Sequence, residues 1–258
     1  MRARGFTLIE LVVVIVVMAI LAVGGVTFIG DASDGYAATV RRSELGGTAR
    51  LATERITREL RDALPNSVRV SGGCLELIPV EGGSTYLNVP VSTPAAAFDV
   101  VPPIAASAAG ARVAVFPDTV ATVYAIGNPG VISPSATFSA PDANNIVHAT
   151  LASAHRFPLE SPSRRFYLVR EPVCYCVDQG RLWRYQGYGF AAVQPSPATL
   201  PTSEPGRSPI GEDMVSLAPF SLSGATLTRS AEVAIDLQLQ DGPDVLRFQH
   251  TVQLRNVP

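Results

Sequence analysis

Two groups of side chains in this sequence could do chemistry: a carboxylate near the N-terminus and three cysteines further along. Glu10 lies directly before the uncharged run from Leu11 to Gly30. An acid carried to the centre of a bilayer costs about 2 to 3 kcal/mol, so this carboxylate needs a cationic partner. Cleavage between Gly5 and Phe6 would create one, because the new α-amino group could neutralise Glu10 of a neighbouring chain when the helices pack side by side.

The cysteines Cys74, Cys174 and Cys176 are compatible with one disulfide bridge in a domain exported to an oxidising compartment. Cys174 and Cys176 are two residues apart on a predicted strand, so they share one face while Tyr175 points to the other. Either of them could reach Cys74, but both cannot. These cysteines and the histidines are residue types that bind zinc, yet their spacing is not that of zinc ribbons or fingers. We predict no metal and no cofactor.

The uncharged run, residues 11–30, predicts the helix that positions Glu10. As a helix it spans about 30 Å, the hydrocarbon thickness of a bilayer. Two arginines precede it and two aspartates follow it, so the positive-inside rule predicts a cytoplasmic N-terminus and an exported C-terminal region. A signal peptide or signal anchor would share this hydropathy. Residues 19–22 make a poor signal-peptide cleavage site, because bulky Ile20 and Leu21 stand where small residues are needed.

Beyond this segment, apolar residues recur at spacings of three and four, the period of an amphipathic helix. They are Leu45, Ala49, Ala52, Ile56, Leu60 and Leu64. Pro65 and Asn66 predict the end of the helix, so we expect a transmembrane and assembly helix at 6–30 and its amphipathic extension at 31–64. Six glycines at about 1 kcal/mol each predict that this helix bends or melts locally. They lie at positions 24, 25, 30, 35, 46 and 47.

Residues 65–258 predict one globular, β-rich head with many turns, since the chain contains 21 Gly and 21 Pro. Alternating apolar residues on both sides of Asp241-Gly242 predict a long final hairpin. His250 falls on its apolar face and is expected to be a hydrogen-bonded core residue. The Pro-rich stretches 90–110 and 194–211 are expected to be irregular loops. Shorter strands are predicted at 67–70, 74–78, 85–89, 111–116, 122–126, 165–169, 173–177 and 182–186.

The stretch Gly5-Phe6-Thr7-Leu8-Ile9-Glu10, followed by an apolar helix, resembles position for position the class III leader of type IV prepilins and type II secretion pseudopilins. The resemblance implies cleavage of a leader, residues 1–5, by a membrane aspartyl prepilin peptidase, N-methylation of Phe6, and subunit registration by Glu10. It also implies an α+β type IV pilin fold, in which a long N-terminal helix is followed by an antiparallel β-sheet head with long Pro/Gly-rich loops.

Further segments resemble the O-type minor pilins of mannose-sensitive haemagglutinin (MSHA) pili. In that family a single cysteine is expected near the end of the strand at 173–178, whereas this chain has two, so the resemblance supports a bridge from Cys74 without fixing its partner. The segments that carry the resemblance are Thr53 to Val70, Cys74-Leu75-Glu76, Leu182-Trp183-Arg184-Tyr185 and Arg255-Asn256-Val257-Pro258.

Composition and absent motifs exclude several classes of function. The net charge is −2, and cleavage of the leader would make it more negative, so no broad basic field attracts nucleic acid. Because the chain has no lysine, it cannot contain a phosphate-binding loop of the Gly-x-x-x-x-Gly-Lys type. A Gly-x-Ser-x-Gly elbow is also absent. We predict that the protein is not an enzyme.

The sequence favours the interpretation that this chain is a minor pilin of an MSHA-type pilus. We expect it to be held in the inner membrane with its head in the periplasm and then to be assembled into an extracellular pilus. Its expected partners are the prepilin peptidase, other major and minor pilins, the inner-membrane assembly platform and the lipid bilayer. A type II secretion pseudopilin is the alternative within the same architecture. A pilus-associated adhesin, whose loops 90–110 and 194–211 contact a surface or sugar, is the alternative of another class.

Overall fold

The structure is a computed structural model that describes residues 7–102, 110–224 and 231–254. Its first element, α1 (Leu8–Arg61), is one unbroken helix of 54 residues, about 80 Å long at 1.5 Å per residue. The six glycines were predicted to make the helix bend or melt locally, and the prediction of melting is wrong for the isolated chain. A glycine weakens a helix by about 1 kcal/mol but, unlike proline, keeps its N–H and C=O groups in the hydrogen-bond ladder.

The second half of α1 buries the apolar stripe that its sequence predicts. Each stripe residue within the helix is at most 3% exposed, and these residues are Leu45, Ala49, Ala52, Ile56 and Leu60. The helix ends at Arg61, three residues before the predicted end. There the backbone turns to pair with the sheet, because the N–H of Leu64 donates to the carbonyl of Ile78 at 2.8 Å.

Fourteen strands, one short α-helix and one 3-10 helix (Pro197–Thr199) follow α1 among the described residues, and every strand pairing is antiparallel. The predicted α+β class, a long N-terminal helix followed by antiparallel sheet, is confirmed. The elements are β1 (Arg69–Ser71), β2 (Cys74–Leu77), β3 (Val80–Thr85), β4 (Ala95–Val100), β5 (Arg112–Val115), α2 (Val120–Tyr124), β6 (Ile132–Phe138), β7 (Val147–His155), β8 (Arg165–Val169), β9 (Val173–Asp178), β10 (Arg181–Tyr185), β11 (Arg207–Gly211), β12 (Phe220–Ser223), β13 (Glu232–Asp241) and β14 (Asp244–Gln253).

Two sheets pack against the second half of α1. One has five strands in the order β1-β2-β9-β10-β11, and the other has three in the order β12-β13-β14. Their apolar faces share one core with the helix stripe, in which Tyr175, Leu237 and Ile56 are fully buried. Alternate residues of β13 supply this core, as the predicted period of two requires. We call α1 from Leu45 onward and these two sheets the helix-packed layer.

The remaining six strands form a small barrel, in the order β3-β8-β5-β6-β7-β4. The two outer strands of this order meet each other, which closes the sheet. Leu87 N–H donates to the carbonyl of Asp99 at 2.9 Å, and Val101 N–H donates to the carbonyl of Thr85 at 2.9 Å. The barrel has its own apolar interior, separate from the core of the helix-packed layer. It is inserted between β2 and β9, and we call residues 80–169 the barrel lobe.

The barrel lobe sits at the end of α1 that is farthest from Glu10. Asn66 Nδ2 donates to the carbonyl of Pro117 at 2.9 Å, and the hydroxyl of Tyr124 donates to the carbonyl of Ser67 at 2.8 Å. Leu64 and Val123 are buried in the apolar cluster between the two parts. The lobe therefore extends the subunit beyond the C-terminus of its helix.

Several sequence predictions within the lobe are wrong. Residues 122–126 were expected to form a strand, but Thr119 and Thr122 form a reciprocal capping box that starts α2 instead. The stretch 90–110 was expected to be irregular, yet it contains β4, whose partner β7 lies about fifty residues away in sequence. A strand was expected at 85–89 and a break before it, but β3 occupies Val80–Thr85 and includes the segment Glu81-Gly82-Gly83.

Two predictions about the helix-packed layer are also wrong in part. The loop expected at 194–211 ends in β11, which pairs with β10 at the edge of the five-stranded sheet. His250 does share the inner face of the final hairpin with Phe248, but it is exposed. The reason is that β14 is an edge strand, so no further strand lies beside His250 to cover it within the described residues.

Candidate functional site

Within the described residues, the rest of the protein does not cover the large apolar side chains in the first half of α1. Every large apolar side chain from Leu8 to Ile29 is exposed. The most apolar 18-residue window of the helix has a mean hydropathy of 3.0 and is 0% buried. A helix that is apolar on all sides needs a membrane or other helices around it. By length and composition, this helix can cross a membrane.

Glu10 lies in the first turn of this helix, and Thr7 caps the turn. The backbone N–H of Glu10 donates to Thr7 Oγ1 at 3.4 Å, so the cap and the acid occupy the same turn. A carboxylate near a helix N-terminus is favoured by the positive end of the helix dipole. The Glu10 side chain is exposed and forms no ion pair within the described residues. Gly5 and Phe6 lie outside the described residues.

An ionic clamp holds the head to α1 just before the buried stripe begins. Arg41 Nε lies 3.0 Å from Asp244 Oδ2, and Arg42 Nε lies 2.8 Å from Asp244 Oδ1. Asp244 begins β14 and is only 6% exposed. Hydrogen bonds from Arg42 and then Arg41 lower the pKa of this carboxyl below its usual value. The sequence analysis did not predict this clamp, although an adjacent Arg-Arg pair at the point where the helix meets the head indicates an acidic partner on the head.

A second polar contact ties the C-terminal end of the helix to the five-stranded sheet. Arg184 Nε on β10 lies 2.9 Å from Glu59 Oε1. Arg55, four residues earlier on the same helix, also approaches Glu59, at 3.8 Å. Together the clamp and this contact fix the exposed first half of α1 in a defined direction relative to the head.

Comparison with known families supports the interpretation of the N-terminal segment. Residues 1–26 match the prokaryotic N-terminal methylation motif. The motif supports a type IV pilin-like or pseudopilin-like protein. The motif includes Gly5, Phe6 and Glu10, and it ends within the exposed apolar part of α1. No curated protein and no solved structure matches the chain.

The cysteines of this pilin-like chain come together in the five-stranded sheet. Cys74 on β2 is bonded to Cys176 on β9, so of the two partners left open by the sequence the structure selects Cys176. Cys174 is a free, buried thiol whose sulfur lies 3.5 Å from that of Cys176. Burial raises the pKa of the Cys174 thiol well above its usual value, which makes it unreactive. Because a metal requires thiolates, this bonded cluster does not provide three sulfur ligands.

A buried ion pair lies beside the cysteines and pins the loop that follows β10. Arg69 Nε lies 2.5 Å from Glu76 Oε2, and both side chains are largely buried. The other nitrogens of Arg69 donate to the carbonyls of Ala191 and Ala192, at 2.8 and 2.7 Å. Burial raises the pKa of the Glu76 carboxyl, and the Arg69 hydrogen bond opposes that rise. The network is structural, because every member is paired within the protein.

A cleft of about 820 Å³ with a mixed polar and apolar lining lies between the barrel lobe and the helix-packed layer. Arg112 and the Glu81–Arg170 ion pair, with a distance of 2.7 Å, line the lobe side. Arg184 and the segment 201–206 line the other side. Part of the predicted loop 194–211 therefore forms a wall of the cleft, whereas residues 103–109 of the predicted loop 90–110 lie outside the described residues.

Proposed function

We propose that this chain is a minor pilin of an MSHA-type type IV pilus, cleaved after Gly5 and methylated at Phe6. The observation that carries the proposal is the N-terminal methylation motif on a helix whose large apolar side chains from Leu8 to Ile29 are all exposed. Such a helix is stable in a bilayer before assembly and between neighbouring helices afterwards. The similarity of Thr53 to Val70 and of the terminal segment to O-type MSHA minor pilins supports the choice within the pilin class.

In this proposal the head lies in the periplasm while the N-terminus faces the cytoplasm, where the prepilin peptidase and the inner-membrane assembly platform act. Removal of the leader leaves a cation at Phe6, which neutralises Glu10 of an adjacent subunit. A charge pair is strong in an apolar environment, and an unpaired carboxylate is costly there. The pair therefore sets the register between subunits without catalysis, and the protein is not an enzyme.

The decisive measurement is the mass of the mature N-terminus after co-expression with a prepilin peptidase. We expect a chain that begins with methylated Phe6. An intact Met1, or a cut near Ala22, would show that the segment is a signal anchor or signal peptide and would refute the proposal.

A Glu10→Gln variant separates processing from assembly. It keeps the size of the side chain and removes its charge, so we expect normal cleavage and methylation but little incorporation into pili. Asp31→Asn is the matched control, because Asp31 is an exposed acid on the same helix outside the uncharged run. Normal incorporation of the Gln variant would show that Glu10 does not register subunits.

A type II secretion pseudopilin would share all of these N-terminal properties. Deletion of the gene distinguishes the two readings, because loss of surface pili supports the pilin and loss of protein secretion with pili intact supports the pseudopilin.

The cleft favours an adhesin as the second candidate, because its wall includes the segment 201–206 that was predicted to contact a ligand. Ser203→Trp would fill the cleft from an exposed position. Loss of adhesion with normal piliation would support the adhesin, and unchanged adhesion would exclude the cleft as its binding site.

A further inference from the structure

Among the described residues, no strand pairs with the outer edge of β14. β14 pairs with β13 on one side only and has no second partner strand within the described residues. Leu254 N–H donates to the carbonyl of Ala231 at 2.8 Å, and their register continues that of Glu232 with Gln253. In an antiparallel ladder the backbone groups alternate between the two sides, so even-numbered residues of β14 bond to β13. The outward N–H and C=O groups belong to Val245, Arg247, Gln249, Thr251 and Gln253.

A trough of about 590 Å³ runs beside this open edge. Phe248 and His250 form one wall, and α1 forms the other. Thr53 and Thr57 lie in the helix wall, and their buried Oγ1 atoms have no hydrogen-bond partner within the described residues. Within the described residues, the trough therefore contains two buried hydroxyl groups without hydrogen-bond partners. It lies on the inner side of a strand whose outer edge is unpaired.

The charge of the trough is mainly basic. Three guanidiniums line it, those of Arg50, Arg58 and Arg61, and none of them forms an ion pair with a carboxylate within the described residues. The carboxylates of Glu54 and Asp62 are the acids in the same lining. Cations outnumber acids, so carboxylates are the complementary groups that a partner would supply.

We propose that β14 is extended by an added strand from a different pilin-like subunit, with acidic side chains at alternate positions that enter the trough. An open strand edge recognises an extended segment through backbone hydrogen bonds, and alternate side chains of that segment give specificity. The proposal rests on the proposed role in pilus assembly and adds the surface through which one neighbour is selected.

The partner strand is not the β14 of a second copy. β14 runs in the same direction as α1, since it begins at the Arg41–Arg42 clamp and reaches the trough beside residues 50–62. Antiparallel pairing of two β14 edges would therefore point the two α1 helices in opposite directions, which a shared membrane forbids. Moreover, β14 carries no carboxylate after Asp244, so a second copy brings none to the arginines.

A proline at an outward-facing position tests the edge. Gln249→Pro removes one outward N–H and leaves the ladder to β13 intact, as edge strands allow. Gln249→Ala is the matched control, because it loses the same side chain but keeps the N–H. Both chains should carry methylated Phe6. We expect normal incorporation of the Ala variant and about tenfold less of the Pro variant, the order of effect of one unmade hydrogen bond in a buried ladder.

Charge reversal in the trough tests the partner's chemistry. Arg58→Glu should also lower incorporation, whereas Arg181→Glu, an exposed control on β10 away from the trough, should not. Equal incorporation of the Pro and Ala variants, with processing intact, overturns the added strand and leaves the pilin function standing. Absence of methylated Phe6 in the wild type overturns the pilin function instead.

Hydrogen exchange measured on the wild-type chain tests the proposal without depending on the folding of a variant. In the free full-length chain in micelles, the amides of Phe248 and His250 should exchange slowly and those of Arg247, Gln249 and Thr251 fast. In pili, the second group should also become slow. Fast exchange of these outward amides in both states overturns the proposal.

Discussion

Truncation of Ile56 provides a direct test of how α1 is fixed to the head. Ile56 is 0% exposed at the centre of the core that joins the helix to both sheets. Ile56→Ala removes three carbons, worth about 2.4 kcal/mol of transfer free energy at about 0.8 kcal/mol each. A residual cavity adds about 1 to 2 kcal/mol, so the free energy of unfolding should fall by about 4 kcal/mol, inside the range of about 2 to 5 for such changes.

The single tryptophan makes the assay specific to this part of the molecule. Trp183 is the only one in the chain and lies on β10 of the helix-packed layer, with the Arg207 guanidinium 4.2 Å from its ring. Urea unfolding of the full-length chain in non-ionic detergent, followed by Trp183 fluorescence, therefore reports on the layer that contains Ile56. A loss of about 4 kcal/mol lowers the folded-to-unfolded ratio by about a thousandfold.

Leu51→Ala is the matched control for this measurement. Leu51 lies on the same helix but is 68% exposed, so its truncation should change the free energy of unfolding by less than about 0.5 kcal/mol. Similar losses for the Ile56 and Leu51 variants would refute the assignment of the buried face of α1.

Two further predictions concern the bridge and the clamp. Cys74→Ala should lower stability by about 2 to 5 kcal/mol, as loss of a bridge across a long loop does, while alkylation of the denatured chain should find one free thiol in the wild type and none in Cys174→Ala. The clamp should weaken in acid. The folded-state pKa of Asp244 is lowered, so its contribution is present above the ordinary value of 3.8 and is lost as the pH falls through the folded pKa. Asp244→Asn should flatten this dependence of urea stability on pH, and an unchanged profile would contradict the clamp.

Local periodicity predicted the elements that bury one continuous face or that pair with a strand close in sequence. The stripe from Leu45 to Leu60 and the alternation of Val233 to Leu239 each mark one buried surface, and both are buried as expected. The shared face of Cys174 and Cys176 also followed from the period of a strand.

The barrel lobe could not be predicted in this way. Its strand β4 begins Ala95-Ala96-Ala97, a sequence with weak strand preference that is held by β7. His250 shows the same limitation within a strand that was predicted correctly. Its alternation assigned it correctly to the inner face, but only the sheet order reveals that β14 is an edge with no further strand beside His250 within the described residues.

The position of the disulfide gives the subunit a mechanical property. Cys74 and Cys176 lie on the two strands that flank the barrel lobe, 102 residues apart in sequence. A tensile load applied between α1 and the C-terminal hairpin passes across the bond and bypasses residues 75–175. In the proposed pilus, tension would therefore strain the helix-packed layer without unravelling the lobe, while reduction of the bond would add about one hundred residues of extensible chain between α1 and the C-terminal hairpin.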